Sequence, residues 1–150
     1  MAPGADLDLV RRLAAADRGL AVLATTRPDG TVHVSVVNAG VLDHPVTGAS
    51  CVGLVARGDA RKLVHLRRTG RAAVVFRAGW EWVSVEGPVE LIGPADARDG
   101  FPTDGLPGLL RDVFRAAGGT HDNWAEYDRV MAEERRTAVL VDPARITGNR

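Results

Sequence analysis

With 150 residues, the chain is about the length of one domain, long enough to bury a single core without disulfides or metals. Leu, Ile, Val and Phe supply 39 of those residues against 25% charged, which excludes the core-poor, highly charged signature of disorder. Nineteen basic residues balance nineteen acidic ones, so the chain has no broad electrostatic footprint for nucleic acid or a membrane surface, and any anion site must be local.

Residues 6 to 17 place Leu9, Val10, Leu13 and Ala14 on one helical face, with Asp6 as the N-cap and Gly19 ending the turn. GLAVLATT (19 to 26) and TVHVSVVN (31 to 38) read as a strand pair about the turn Arg27-Pro28-Asp29-Gly30. In the second strand Val32, Val34 and Val36 share one face and His33, Ser35 and Val37 the other. Residues 40 to 48 read as a loop, and 49 to 56 return to strand character. Asp59 is the expected cap of a helix of about three turns carrying the apolar pair Leu63 and Leu66 and ending at Gly70.

The next pair of strands spans 71 to 78 and 80 to 92, with Gly79 at the corner. Val83, Val85, Val89 and Leu91 point one way, and Trp80, Trp82, Ser84, Glu86 and Glu90 the other. Two tryptophans thus fall on a face that a lone barrel leaves wet; burial beneath the late helices around Trp124 and Tyr127 is the competing expectation. A loop over 93 to 108, helices over 109 to 117 and 123 to 136, and a final strand over 137 to 141 complete the order. Strands follow one another with few helices between them, which predicts an antiparallel barrel in one domain covering 1 to 150.

Other signals narrow the chemistry by exclusion. Cys51 is the only cysteine, so neither an intrachain disulfide nor a cysteine-built zinc site is available, and a cytoplasmic location is expected. The acidic N-terminus and the lack of any long apolar run predict neither a signal peptide nor a membrane helix. Common dinucleotide, phosphate-loop, zinc-protease and serine-hydrolase motifs are missing. His33, His44, His65 and His121 lack ligand spacing, and Glu133-Glu134 beside Arg135-Arg136 reads as a solvated face of local ion pairs.

One constellation resists a bland explanation. Arg61 and Lys62 open a helix, with Arg57 just before it, although the helix dipole disfavours cations at that end. Exposure to water with Asp59 as compensation would cost some tenths of a kcal/mol; a bound phosphate would instead supply the missing negative charge. Lys62 is the sole lysine in an arginine-rich chain, which favours a role for its compact charge.

On these residues the chain resembles a known family. RGDARKLVHLRRTGRAAVVF followed by GWEWVSVEGPVELI is similar to the pyridoxamine 5′-phosphate oxidase-like split-barrel oxidoreductases that use flavin or deazaflavin. The ending from His121 looks like the actinobacterial members that use coenzyme F420, and the likeness runs over roughly residues 7 to 148. The resemblance implies a mainly β fold with flanking helices, the FMN-binding split β-barrel. It further implies a homodimer with two shared cofactor sites.

Carried over position by position, Arg61 and Lys62 would hold the cofactor phosphate. Val55, Ala56 and Arg57 would lie beside it, Ser35, Val37 and Asn38 would border the ring system, and Trp82 would approach the ring from the partner subunit. The expected function is hydride transfer between F420 and a small conjugated acceptor. FMN is the alternative cofactor, and a non-catalytic carrier of the coenzyme or another planar ligand such as haem is the rival class, although no histidine occupies a defensible axial position. The chain ends in ITGNR with no histidine after His121, unlike the substrate-gripping Arg and His ending of the vitamin oxidases, so oxidation of pyridoxamine phosphate is disfavoured.

Overall fold

The computed structural model describes residues 5–149; the first four residues of the acidic N-terminus and Arg150 lie outside them. Helix α1 (Leu7–Ala16) begins as the sequence predicts, with the Asp6 carboxylate accepting from the Leu9 N–H at 3.0 Å and Leu9, Val10, Leu13 and Ala14 buried. The chain leaves it through left-handed Arg18 (φ 55°) and Gly19 (φ 75°). At Gly19 only glycine fits, because a Cβ would stand 2.1 Å from the Ala117 carbonyl oxygen.

Strands β1 (Leu20–Thr26) and β2 (Val32–Asp43) form the first hairpin, paired from Leu20 opposite Asn38 to Thr26 opposite Val32. The expected loop at 40 to 48 starts later, because β2 runs on to Asp43 and changes partner in doing so. Its first part pairs with β1, and Ala39 to Asp43 pair with β3 (Ser50–Ala56). Gly40 serves packing rather than a turn: a Cβ there would lie 1.9 Å from the Ala116 carbonyl oxygen.

Helix α2 (Arg61–Thr69) buries Leu63, His65 and Leu66 and ends at left-handed Gly70. Asp59 is not its cap. Ala60 holds that position with no side-chain hydrogen bond, while the Asp59 carboxylate lies 3.4 Å from the Arg57 guanidinium. Strands β4 (Arg71–Ala78) and β5 (Glu81–Ile92) follow, turning at Gly79. Trp80 falls in that turn rather than on the strand and is 95% exposed, and Trp82 remains partly exposed on the outer face. The late helices therefore bury neither within the protomer.

After a short 3₁₀ turn (Thr103–Gly105), helix α3 (Leu106–Ala116) begins three residues earlier than predicted, because Pro107 in a first turn lacks only an N–H that the helix would leave unpaired anyway. Helix α4 (Trp124–Glu133) is capped by the Asn123 side chain. Strand β6 (Thr137–Val141) is buried throughout, and a seventh strand that the sequence did not announce, β7 (Arg145–Gly148), continues along the same edge of β5.

The strand order β4-β1-β2-β3-β6-β5, with β4 also paired to β5, closes an antiparallel barrel of six strands with β7 added. Phe76, Leu23, Leu54, Val74, Val83 and Val85 fill it, and α1 and α2 pack against the same core. A second cluster forms where Leu109, Leu110 and Val113 of α3 cover Cys51, Ala138 and Leu140. This cover explains why β3 and β6 are apolar on both faces. No helix among the described residues is long and apolar enough to cross a membrane.

Candidate functional site

A cavity of about 530 Å³ opens where the end of β3, the start of α2 and the bend of β2 face α3 and α4. Of the residues selected from sequence, it gathers Val37, Asn38, Val55, Ala56, Arg57 and Lys62. Ser35, Arg61 and Trp82 do not line it. Ser35 points to the inner face of β2, where its Oγ is buried without a hydrogen-bond partner. Arg61 lies on the His65 side of α2, close enough to lower the pKa of that imidazole. Trp82 sits opposite Arg77 on the outer sheet.

Among the residues that reach the cavity without having been assigned to it from sequence are Arg18, Phe114, Tyr127 and Arg136. Arg136 is the instructive one. A solvated helix face is the natural sequence reading of 133 to 136, but α4 stops at Glu133 and left-handed Arg135 (φ 51°) redirects the chain, so Arg136 is half-buried in the wall. Glu134 accepts from Arg136 at 2.9 Å and lies 3.6 Å from Arg57, serving both guanidinium groups. No carboxylate lines the cavity among the described residues, and Lys62 has no ion-pair partner there. Burial, and then the nearby Arg136, hold the Lys62 ammonium below its ordinary pKa.

The start of α2 has the donors such a cluster needs. With Ala60 as N-cap, no side chain accepts from its first backbone N–H groups, whereas α1 and α4 are capped by Asp6 and Asn123. The wall opposite is apolar and aromatic, with Phe114 and Tyr127 rings 4.9 Å apart. The Tyr127 hydroxyl donates to the Leu110 carbonyl at 3.1 Å, and burial pushes its pKa up, so it is not placed to act as an acid toward a ligand. Residues 94 to 105 contribute nothing to the cavity; Asp96 accepts from Nε and Nη2 of Arg67, at 3.0 and 2.7 Å, and Arg98 pairs with Glu90.

A smaller cavity of about 230 Å³ contains His44, Cys51 and Glu90 but offers no free chemistry. The His44 Nδ1 accepts from the Val46 and Thr47 N–H groups, which leaves Nε2–H to donate to Glu90 at 2.6 Å. Burial pushes the Cys51 thiol up to about 11, far from the thiolate form. No cluster of three or more metal-ligating side chains occurs among the described residues.

Comparison with known proteins places this geometry in context. The family model for pyridoxamine 5′-phosphate oxidase matches residues 10–148. A conserved hypothetical protein from Mycobacterium tuberculosis superposes with a TM-score of 0.68 at 21% identity, covering 95% of this chain and 83% of its own. A pyridoxamine 5′-phosphate oxidase-related, FMN-binding protein from Nostoc punctiforme gives 0.65 at 11% identity, covering 97% and 84%. A structure described as an F420 reductase gives 0.58 at 15% identity, covering 87% and 90%. At these identities the three structures share the fold.

Proposed function

The chain belongs to the pyridoxamine 5′-phosphate oxidase family, and from that premise we propose that it is an oxidoreductase that binds a phosphorylated flavin-type coenzyme in the larger cavity. The coenzyme in this proposal is the deazaflavin F420, with a small conjugated molecule as acceptor; FMN is the alternative in the same cradle. The observation that carries it is the uncapped start of α2, with Arg57, Lys62 and Arg136 converging on a cavity that no carboxylate lines. Backbone N–H groups beside an ammonium that has no ion-pair partner, Lys62, with two guanidinium groups held close by Glu134, are a phosphate site in chemical terms.

The bound coenzyme would supply the hydride chemistry. This chain's residues bind and orient. Lys62 and the α2 N–H groups fix the phosphate, Glu134 holds the Arg57 and Arg136 guanidinium groups in place, and the valines of β2 and β3 give the ring system a flat apolar bed. Because Tyr127 is committed to Leu110, the proton that accompanies reduction comes from solvent or from the substrate itself.

The proposal includes a homodimer. Val32, Val34 and Val36 line the outer face of β2, with Val36 69% exposed, and Leu20 and Val22 extend the strip across β1. Such a strip on a sheet suits a second copy of the same sheet, and Trp82 on the adjoining outer face of β5 would then approach the partner's site. Ser35 and Arg61 do not line the cavity, and the proposal gives them no contact with the coenzyme.

Titration with FMN and with riboflavin tests the phosphate assignment directly. Wild type is expected to prefer FMN, and Lys62→Ala to weaken FMN at least about tenfold while leaving riboflavin unchanged. Equal affinity of wild type for both ligands overturns the assignment.

A further inference from the structure

Two cations that reach the cavity, Lys62 and Arg18, make no ion pair among the described residues, and they come from different walls. Arg57 and Arg136 already share Glu134, so the phosphate proposed above accounts for Lys62 and leaves Arg18 unanswered. Resting on that reading, we propose that Arg18 binds a second acidic group, a carboxylate, on whatever occupies the cavity beside the phosphate.

The Arg18 side chain is exposed, but its backbone is fixed. Its backbone is left-handed (φ 55°), its carbonyl oxygen accepts from the Asn38 Nδ2 at 3.0 Å, and the next residue, Gly19, is wedged against the end of α3. Two constraints on Arg18 and one on its neighbour fix where the side chain leaves the chain, at a cost in backbone strain. Asn38, which sequence reasoning assigned to the ring, therefore spends its amide on positioning Arg18. A planar guanidinium with two parallel N–H donors matches a carboxylate better than any other common ligand group except phosphate, which α2 already attracts. FMN carries one phosphate and no carboxylate, so Arg18 selects either a coenzyme with an acidic tail or an acidic substrate lying next to the ring.

The simplest competing account is that Arg18 merely offsets the negative end of α3, since its carbonyl carbon lies 3.9 Å from where a Cβ on Gly118 would stand. Binding separates the two accounts. Wild type, Arg18→Gln and Arg18→Lys are titrated with FMN, with F420 carrying its acidic tail, and with cinnamate and its neutral amide on both unloaded and FMN-loaded protein.

The expected result is a loss of about tenfold or more for a carboxylate ligand in Arg18→Gln, partial recovery in Arg18→Lys, and unchanged FMN and amide affinity. Loss confined to F420 assigns the carboxylate to the coenzyme tail; loss confined to cinnamate assigns it to the substrate. Unchanged affinity for both carboxylates, with only a lowered melting temperature, overturns the proposal and leaves Arg18 as the counter-charge of α3. An equal loss for FMN also overturns it. If wild type fails to discriminate FMN from riboflavin, the coenzyme reading fails separately, and the cinnamate titration of unloaded protein still decides the role of Arg18.

Discussion

His65 and Lys62 lie within one turn of α2, and burial disfavours the charged form of each. The buried His65 Nδ1 stands 3.0 Å from the Thr25 hydroxyl, its ring is 5.4 Å from that of His33, and Arg27 and Arg61 are the charges nearby. Burial first, then His33 and the two arginines, hold its pKa below the ordinary 6.5, so the fold prefers the neutral imidazole. The unfolded chain binds the extra proton more readily, and the stability contributed is complete above pH 6.5 and is lost as pH falls from there toward the depressed value. Thermal melts across this range are expected to decline more steeply in acid for wild type than for His65→Gln. Parallel curves would show that the imidazole is not the group being titrated.

At the scale of one element, α2 trades stability for binding. An extended N-cap residue normally accepts a helix N–H with its side chain, and Ala60, extended at φ −68° and ψ 135°, cannot. Ala60→Asp is expected to stabilise the ligand-free protein by about 0.5–1 kcal/mol through the cap and the dipole. The same carboxylate would occupy the N–H groups that a phosphate needs, and FMN affinity is expected to fall about tenfold. Calorimetric melting and ligand titration on one variant read both effects; a stabilised variant with undiminished FMN affinity would remove the helix start from the phosphate site. Strand β2 shows a related economy, since its bend at Asn38 and Ala39 both hands the strand from β1 to β3 and brings Val37 and Asn38 to the cavity.

Considered whole, the protein is a barrel whose interior is well filled and whose outer face over β1 and β2 is not covered by its own helices. A monomer that exposes three valines in alternation on one strand presents apolar surface that a partner would remove from water. The double substitution Val34→Glu with Val36→Glu places two carboxylates in that strip without touching the barrel core. Light scattering is expected to report a dimer for wild type and a monomer for the variant, with an unchanged circular dichroism spectrum. A wild-type monomer at micromolar concentration would remove the shared-site arrangement from the proposal.

What the sequence determined by itself is the local grammar. The Asp6 cap, the Gly30, Gly70 and Gly79 turns, and the alternation that buries Val83 and Val85 depend on neighbours a few residues away, and they stand as written in the chain. Lys62 was legible because it and Arg61, two cations opening a helix, conflict with a purely local force, the dipole, and Arg57 because it stands just before that helix. The tertiary structure alone decided the change of partner along β2, the pairing of β7 with β5, and the presence of Arg18, Phe114, Tyr127 and Arg136 in one cavity. These depend on left-handed residues at 18 and 135 and on helices packing across distant strands, and contacts between residues so far apart leave no periodicity in the sequence between them.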